Sequence, residues 1–377
     1  MNIDPVLKAL ATALHDEGPA VEILVTEDGT PHAAPVDTPG FEDAALVVRT
    51  SGSTGTPKAT VLTVDQLAAS SMATAIALRG EGQWLLALPL QYVAGVQVLV
   101  RSLFAGTRPW VMDMSNGFTP EAFTEAAEEL TDTIRFTSLV PTQLQRLLDS
   151  PSPRTLAALR RFNAILLGGA PASAMLLDAA KDAGLKIVTT YGSAETCGGC
   201  VYNGSPIEGV RVMLDDDGRV LLGGDTVAAG YLGAPEATAE AFFEEDGTRW
   251  YRTNDLGELA EDGTLTVLGR ADDVIITGGV KASAAFIQAE LEKFDGVTAA
   301  FVAGVPSREW GQAVAAYVAV EDTSPEAVAA YRSRGQAALG ALAPKTVLTA
   351  ESLVMLPNGK PDRLAMIELL AEVHRGE

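Results

Sequence analysis

Along the first two thirds of the chain, short dense apolar runs alternate with stretches where apolar residues recur every three or four positions. The dense runs at 21–25, 44–48, 84–88, 136–140, 164–167 and 186–190 have the length of buried strands. The stretches 119–130, 142–148 and 172–183 read as helices, and Ile3, Val6, Leu7, Leu10 and Leu14 give residues 1–18 the spacing of an amphipathic helix. This alternation predicts a layered α/β domain with a largely parallel sheet. From about Gly209 the texture changes to short strands with Asp217-Gly218, Asp246-Gly247 and Asp262-Gly263 as turn dipeptides, and 259–265 reads as a hairpin. After Asp273 it changes again, with strands predicted at 274–276, 299–302 and 314–320 and helices at 284–293, 326–339 and 364–373. The pattern predicts a large layered α/β domain with a small β subdomain over residues 1–271, and a small α+β domain over 272–377.

Composition narrows the partners. The 377 residues are 47% hydrophobic and 20% charged, and 27 basic against 49 acidic residues leave a net charge of −22. So acidic a surface disfavours nucleic acid and anionic lipid, and a polyanionic ligand needs a locally positive pocket or a divalent metal. The acidic residues Asp4, Asp16 and Glu17 argue against a signal peptide at the N-terminus. The longest uncharged run, 84–100, is broken by Pro89, Gln91, Gly95 and Gln97, which predicts strand, loop and buried helix rather than a membrane span. A cytoplasmic location is the expectation. The only cysteines, Cys197 and Cys200, lack the further ligands a zinc site needs and read as two thiols near a pocket wall.

Chemistry enters with Thr50, Ser51, Gly52, Ser53, Thr54, Gly55, Thr56, Pro57 and Lys58, which follow the apolar run 44–48. Such a loop offers amides, hydroxyls and one cation to a polyphosphate. The P-loop pattern requires Gly-Lys-Ser/Thr; here Pro57 precedes Lys58 and Ala59 follows it, which argues against a kinase or ATPase of that type.

The loop resembles the phosphate loop of the adenylate-forming superfamily, which holds acyl-CoA synthetases, luciferases and peptide-synthetase adenylation domains. Four further segments resemble that family's motifs in order: 191–196 (Tyr-Gly-Ser-Ala-Glu-Thr), 251–257 around Asp255 with Asn254 where glycine is usual, 269–273 and 356–360. The resemblance implies ATP, Mg2+ and coenzyme A as cofactor and co-substrates. It gives Ser51, Ser53, Thr54, Thr56 and Lys58 to the leaving phosphates, and Glu195 to the metal. Gly168, Gly169, Ala170, Pro171, Tyr191 and Gly192 would form the adenine slot. Asp255 would bind the ribose hydroxyls with Arg270 assisting, and Thr196 would touch the α-phosphate. Lys360 would carry adenylation, and Asp272 would be the hinge of a mobile C-terminal domain.

Segments 88–95, 138–148 and 165–171 resemble the o-succinylbenzoate–CoA ligase branch of menaquinone biosynthesis. That implies an aromatic acid with a second carboxylate, for which Tyr92, Gln143, Arg146, Gly198 and Gly199 are candidate contacts. Tyr92 stands where the branch usually has histidine, and the stretch after Gly279 lacks the usual proline and paired glutamates. The early loop implies a shortened N-terminal part with surface for a homodimer. Other acid–CoA ligases, an adenylation enzyme serving a separate carrier protein, and a non-catalytic nucleotide-binding relative stay open at this point.

Overall fold

The computed structural model describes residues 2–26, 29–50, 57–115, 117–320, 322–356 and 361–376. The chain divides into two compact units. One comprises Met1–Met213, Leu221–Thr253 and Leu259–Leu265; the other comprises Leu214–Val220, Asn254–Glu258 and Thr266–Glu377.

The first unit is built on two sheets. In the larger, the strands Trp110–Val111, Gln83–Leu86, Arg135–Leu139, Ala164–Leu167 and Ile187–Ser193 lie side by side in that order and run parallel. Gly198–Tyr202 and Ser205–Pro206 extend it antiparallel. Burial on both faces explains why Ala164–Leu167 reads as a continuous apolar run rather than an alternation. Leu139, Leu144, Leu147, Leu159, Phe162, Ile165, Leu167 and Phe123 close one face of the core. The chain passes from Gln83–Leu86 to one neighbour, Trp110–Val111, and then crosses to Arg135–Leu139 on the other side. That reversal opens a crevice at the carboxyl ends of Gln83–Leu86 and Arg135–Leu139, where open α/β sheets bind ligands.

The smaller sheet orders Gly230–Tyr231, Lys58–Thr63, Ala44–Thr50, Val21–Val25 and Pro31–Pro35. Its strands were legible only at 21–25 and 44–48. Pro31–Pro35 lies at the edge, where proline's missing donor is tolerated. The uncharged run 84–100 divides into the strand Gln83–Leu86 and the helix Val93–Phe104, as expected. Among the described residues no helix is long and apolar enough to cross a membrane.

A further sheet carries Val210–Leu214, Arg219–Gly224, Thr248–Leu259 and Phe242–Glu245, with Leu265–Arg270 paired to Thr248–Leu259. The expected turn between the last two forms, with Gly263 N–H donating to the Ala260 carbonyl at 2.9 Å.

The C-terminal part of the second unit is an α+β layer. Val280–Ser283, Val274–Thr277, Gly311–Val320 and Val297–Ser307 form the sheet, and Thr346–Ala350 pairs with Gly311–Val320. Alternation along Gly311–Val320 sends Val314, Val318 and Val320 toward Ile287, Leu291 and Leu339, while Ala313, Ala315 and Tyr317 meet Met366 and Leu370. Helices therefore cover both faces. The mixed α/β architecture is the one the sequence predicts.

Candidate active site

Three segments of the first unit meet around Tyr231. The strands Ala44–Thr50 and Lys58–Thr63, which flank the glycine-rich loop in sequence, pair antiparallel with Thr50 opposite Lys58. Ser51, Gly52, Ser53, Thr54, Gly55 and Thr56 lie outside the described residues. At the loop's end, Lys58 is half-buried, and its Nζ sits 4.7 Å from the centroid of the Tyr231 ring. The Tyr231 hydroxyl donates to Glu195 Oε1 at 2.9 Å. Glu195 is only 6% exposed and sits on the 3-10 turn Ala194–Thr196, whose backbone is tied down by Ala228 N–H donating to the Glu195 carbonyl at 2.8 Å. Burial pushes the Tyr231 phenol far above its usual range, and the Glu195 carboxylate and Tyr251 push the same way. The phenol therefore stays a donor, and Glu195 keeps its second oxygen for another partner.

Thr196 is fully buried, and its hydroxyl donates to the Gly198 carbonyl at 2.8 Å while accepting from Ser193 N–H at 3.0 Å. It braces the turn that holds Glu195. Tyr191 and Gly192 end the strand Ile187–Ser193. Gly192 has φ of +152°, and a Cβ there would stand 2.2 Å from the Gly198 carbonyl oxygen, so this close crossing admits only glycine. Gly168, Gly169, Ala170 and Pro171 follow the neighbouring strand Ala164–Leu167, and Gly168 N–H donates to the Leu139 carbonyl at 3.2 Å. Tyr191 and these residues thus share the carboxyl-end rim of the parallel strands.

At the crevice itself, Gln143 starts the helix Pro141–Leu148 and spans the reversal point. Its Nε2 donates to the Ala87 carbonyl at 2.8 Å, and its Oε1 accepts from Val140 N–H at 3.0 Å. A buried amide held at both ends is a strut between the two strand ends. Arg146 is exposed in the last turn of the same helix. Tyr92 is half-buried and directly precedes the helix Val93–Phe104. Gly198 and Gly199 begin the strand Gly198–Tyr202, with Gly198 buried against Gln97 and Val93.

Two residues that sequence reasoning passed over shape this wall. Tyr231 had no local signal beyond following Gly230. Gln97 did have one, as a polar residue inside an apolar helix. It is buried, and its Nε2 donates to the Cys197 carbonyl at 2.5 Å, fixing the left-handed residue (φ 55°) that leads into Gly198. Cys197 and Cys200 are free, buried thiols. Burial raises both, Cys200 to about 12 and Cys197 further, so neither is a thiolate at neutral pH. Among the described residues no cluster of three metal-ligating side chains occurs. A lone carboxylate such as Glu195 nevertheless fits Mg2+ that takes most of its ligands from phosphate and water.

In the second unit, Asp255 on Thr248–Leu259 and Arg270 on Leu265–Arg270 stand 4.0 Å apart. Arg363, opening the helix Arg363–Gly376, pairs with Asp273. Lys360 and the side chain of Asp272 lie outside what the structure describes.

A glycine-walled crevice at the carboxyl ends of parallel strands, with a buried carboxylate and a lysine sharing one tyrosine, defines an α/β enzyme that handles a nucleotide. The chain belongs to the AMP-binding enzyme family, which it matches over residues 3–240. It is 40% identical over 336 residues to a probable 2-succinylbenzoate–CoA ligase of Mycobacterium tuberculosis, covering 88% of this chain and 85% of that protein. It is 31% identical over 350 residues to the 2-succinylbenzoate–CoA ligase of Listeria monocytogenes, covering 89% of this chain and 72% of that protein. Among solved structures it is similar to o-succinylbenzoate CoA synthetase from Bacillus subtilis in complex with its acyl-adenylate intermediate. There the TM-score is 0.73 at 25% identity, covering 86% of this chain and 69% of that one.

Proposed function

We propose that the chain is an AMP-forming acid–CoA ligase that activates o-succinylbenzoate for menaquinone synthesis. The carrying observation is that Tyr231 links the loop lysine to the buried carboxylate, with Lys58 over its ring and Glu195 on its hydroxyl. The relatives' names support the choice of acid.

In the first half-reaction a carboxylate oxygen of the acid attacks the α-phosphate of ATP. The bond to the β-phosphate breaks, pyrophosphate leaves and an acyl-adenylate remains. In the second, the coenzyme A thiol attacks the acyl carbonyl, loses its proton and expels AMP. Ser51, Gly52, Ser53, Thr54, Gly55, Thr56 and Lys58 hold the leaving phosphates; Glu195, fixed by Tyr231, would hold Mg2+, which neutralises phosphate charge when bound. Gly168 to Pro171 and Tyr191 receive adenine, and Asp255 with Arg270 receives ribose. Lys360 stabilises charge building on the α-phosphate and attacking oxygen. Tyr92, Gly198, Gly199 and Arg146 face the acid, with Gln143 positioning the crevice walls. Asp272 is the hinge between domains 1–271 and 272–377. A homodimer and a cytoplasmic location belong to the same proposal.

Pyrophosphate release with a panel of acids, with and without coenzyme A, tests it. The expected result is release with o-succinylbenzoate and AMP formation that needs coenzyme A. Activity confined to fatty acids overturns the choice of acid. Pyrophosphate release without any thioester in the presence of coenzyme A overturns the ligase reading.

A further inference from the structure

At the other end of the parallel sheet, the strands Gln83–Leu86 and Arg135–Leu139 begin with Trp84 and Phe136, register partners whose rings lie 5.1 Å apart. A groove of about 670 Å³ opens beside them, between the helices Val64–Ala77 and Val93–Phe104. Arg101 lines it. Counting along the helix from Tyr92 places Arg101 roughly 13 Å down the axis, away from the crevice. The guanidinium belongs to a residue only 6% exposed. It stacks at 5.2 Å on the Trp84 ring, and among the described residues its Nε has no hydrogen-bond partner. Ser71, 7% exposed on the facing helix, also lines the groove, with a buried hydroxyl oxygen that has no partner among the described residues.

A buried cation costs several-fold more than a buried amide unless an anion meets it, and here no protein carboxylate among the described residues does. The stacked indole and the helix's C-terminal carbonyls offset part of that cost without satisfying the free N–H. The walls add Phe104, Leu78 and Met72, apolar surface suited to a ring or alkyl body. Asp65, Glu81 and Asp225 also line the groove and disfavour a polyanion.

We propose that this groove is a second ligand site, for a small monocarboxylate carrying an aromatic or alkyl body. The carboxylate meets the Arg101 guanidinium where it lines the groove beside Ser71, a small turn of the side chain bringing the enclosed Nε–H to it, and the body lies along Phe104, Leu78 and Met72. The site is separate from the nucleotide crevice and independent of which acid is activated there.

Calorimetric titration with 1-naphthoate, with neutral 1-naphthol as control, tests the assignment on the full chain. Naphthoate binds wild type. Arg101→Met removes the charge at similar volume, and Ala75→Trp fills the groove without touching Arg101; each weakens naphthoate at least about tenfold, as does replacement by naphthol. Arg101→Met without ligand melts higher than wild type, because it removes an uncompensated buried charge. Absence of binding to wild type at millimolar naphthoate overturns the proposal. So does affinity kept within about twofold in either variant, or a lower melting temperature for Arg101→Met.

Discussion

Removing one oxygen from Tyr231 isolates the bond on which the proposed metal carboxylate depends. In Tyr231→Phe the ring stays between Phe242, 5.2 Å away, and Lys58, so packing and most of the cation–π contact survive. What goes is the 2.9 Å donation to Glu195, a carboxylate 6% exposed, together with the hydroxyl's contact with Tyr251, which both backgrounds share. A hydrogen bond to a charged group contributes about 1.5–3 kcal/mol, and a neutral one about 0.5–1.5 kcal/mol. Tyr231→Phe should therefore lower unfolding free energy by about 1.5–3 kcal/mol in wild type and by about 1 kcal/mol less in a Glu195→Gln background. Urea titration of the four proteins of this cycle at neutral pH measures it. In the activity assay, Tyr231→Phe should raise the Mg2+ concentration for half-maximal pyrophosphate release, since Glu195 is then less firmly aimed. Equal destabilisation in both backgrounds would refute the reasoning, because the hydroxyl would then gain nothing from the carboxylate's charge.

Lys360→Ala should cut acyl-adenylate formation by about 10²–10³-fold and largely spare thiolysis of preformed adenylate; equal losses in both half-reactions, read by single-turnover kinetics, count against its role. Gly95→Ala drives a Cβ to 2.1 Å from the Pro89 carbonyl oxygen, so the helix Val93–Phe104 must shift; the variant should melt several degrees lower, and an unchanged melting curve refutes the close approach. Stability should fall as pH rises above about 8.5, because the unfolded chain then releases the Cys197 and Cys200 protons that the native state keeps, at about 1.4 kcal/mol per pH unit per thiol, with Tyr231 joining above about 10. Urea midpoints from pH 8 to 11 check the sign, and Cys197→Ala with Cys200→Ala should flatten the lower part of the slope.

What could be read from the sequence followed burial geometry. Ala164–Leu167 is buried throughout and reads as an unbroken apolar run, while Val21–Val25 is apolar but for Glu22; both strands have the bounds that the sequence pattern predicts. The helix Val64–Ala77 was missed because it buries Ser70, Ser71 and Thr74 beside Leu67 and Ala73, which blurs the apolar stripe. Pro31–Pro35 carries prolines at both ends, which suppress a strand reading that an edge position permits. Lys58–Thr63 did hold a signal in the β-branched Thr60, Val61 and Thr63.

The site divided along the same line. Motif residues contiguous in sequence, such as those around Glu195, stand out as candidates because their chemistry is local. Tyr231 reaches Glu195 only through the pairing of Gly230–Tyr231 with Lys58–Thr63, a long-range contact that residue order does not reveal. An amide's type says nothing of its partners, so from the sequence Gln143 reads as a candidate ligand contact. Its bonds to Ala87 and Val140 are visible only in the fold.

The pairing of Thr50 with Lys58 has an engineering consequence. Thr50 and Lys58 face each other on one rung of the ladder, so the sheet itself fixes the two posts at which the chain leaves and returns. Lengthening the intervening segment even twofold costs only about 0.6 kcal/mol of closure entropy. It is a replaceable cassette: a loop of different length or hydroxyl content could be transplanted between these two posts without redesigning the scaffold.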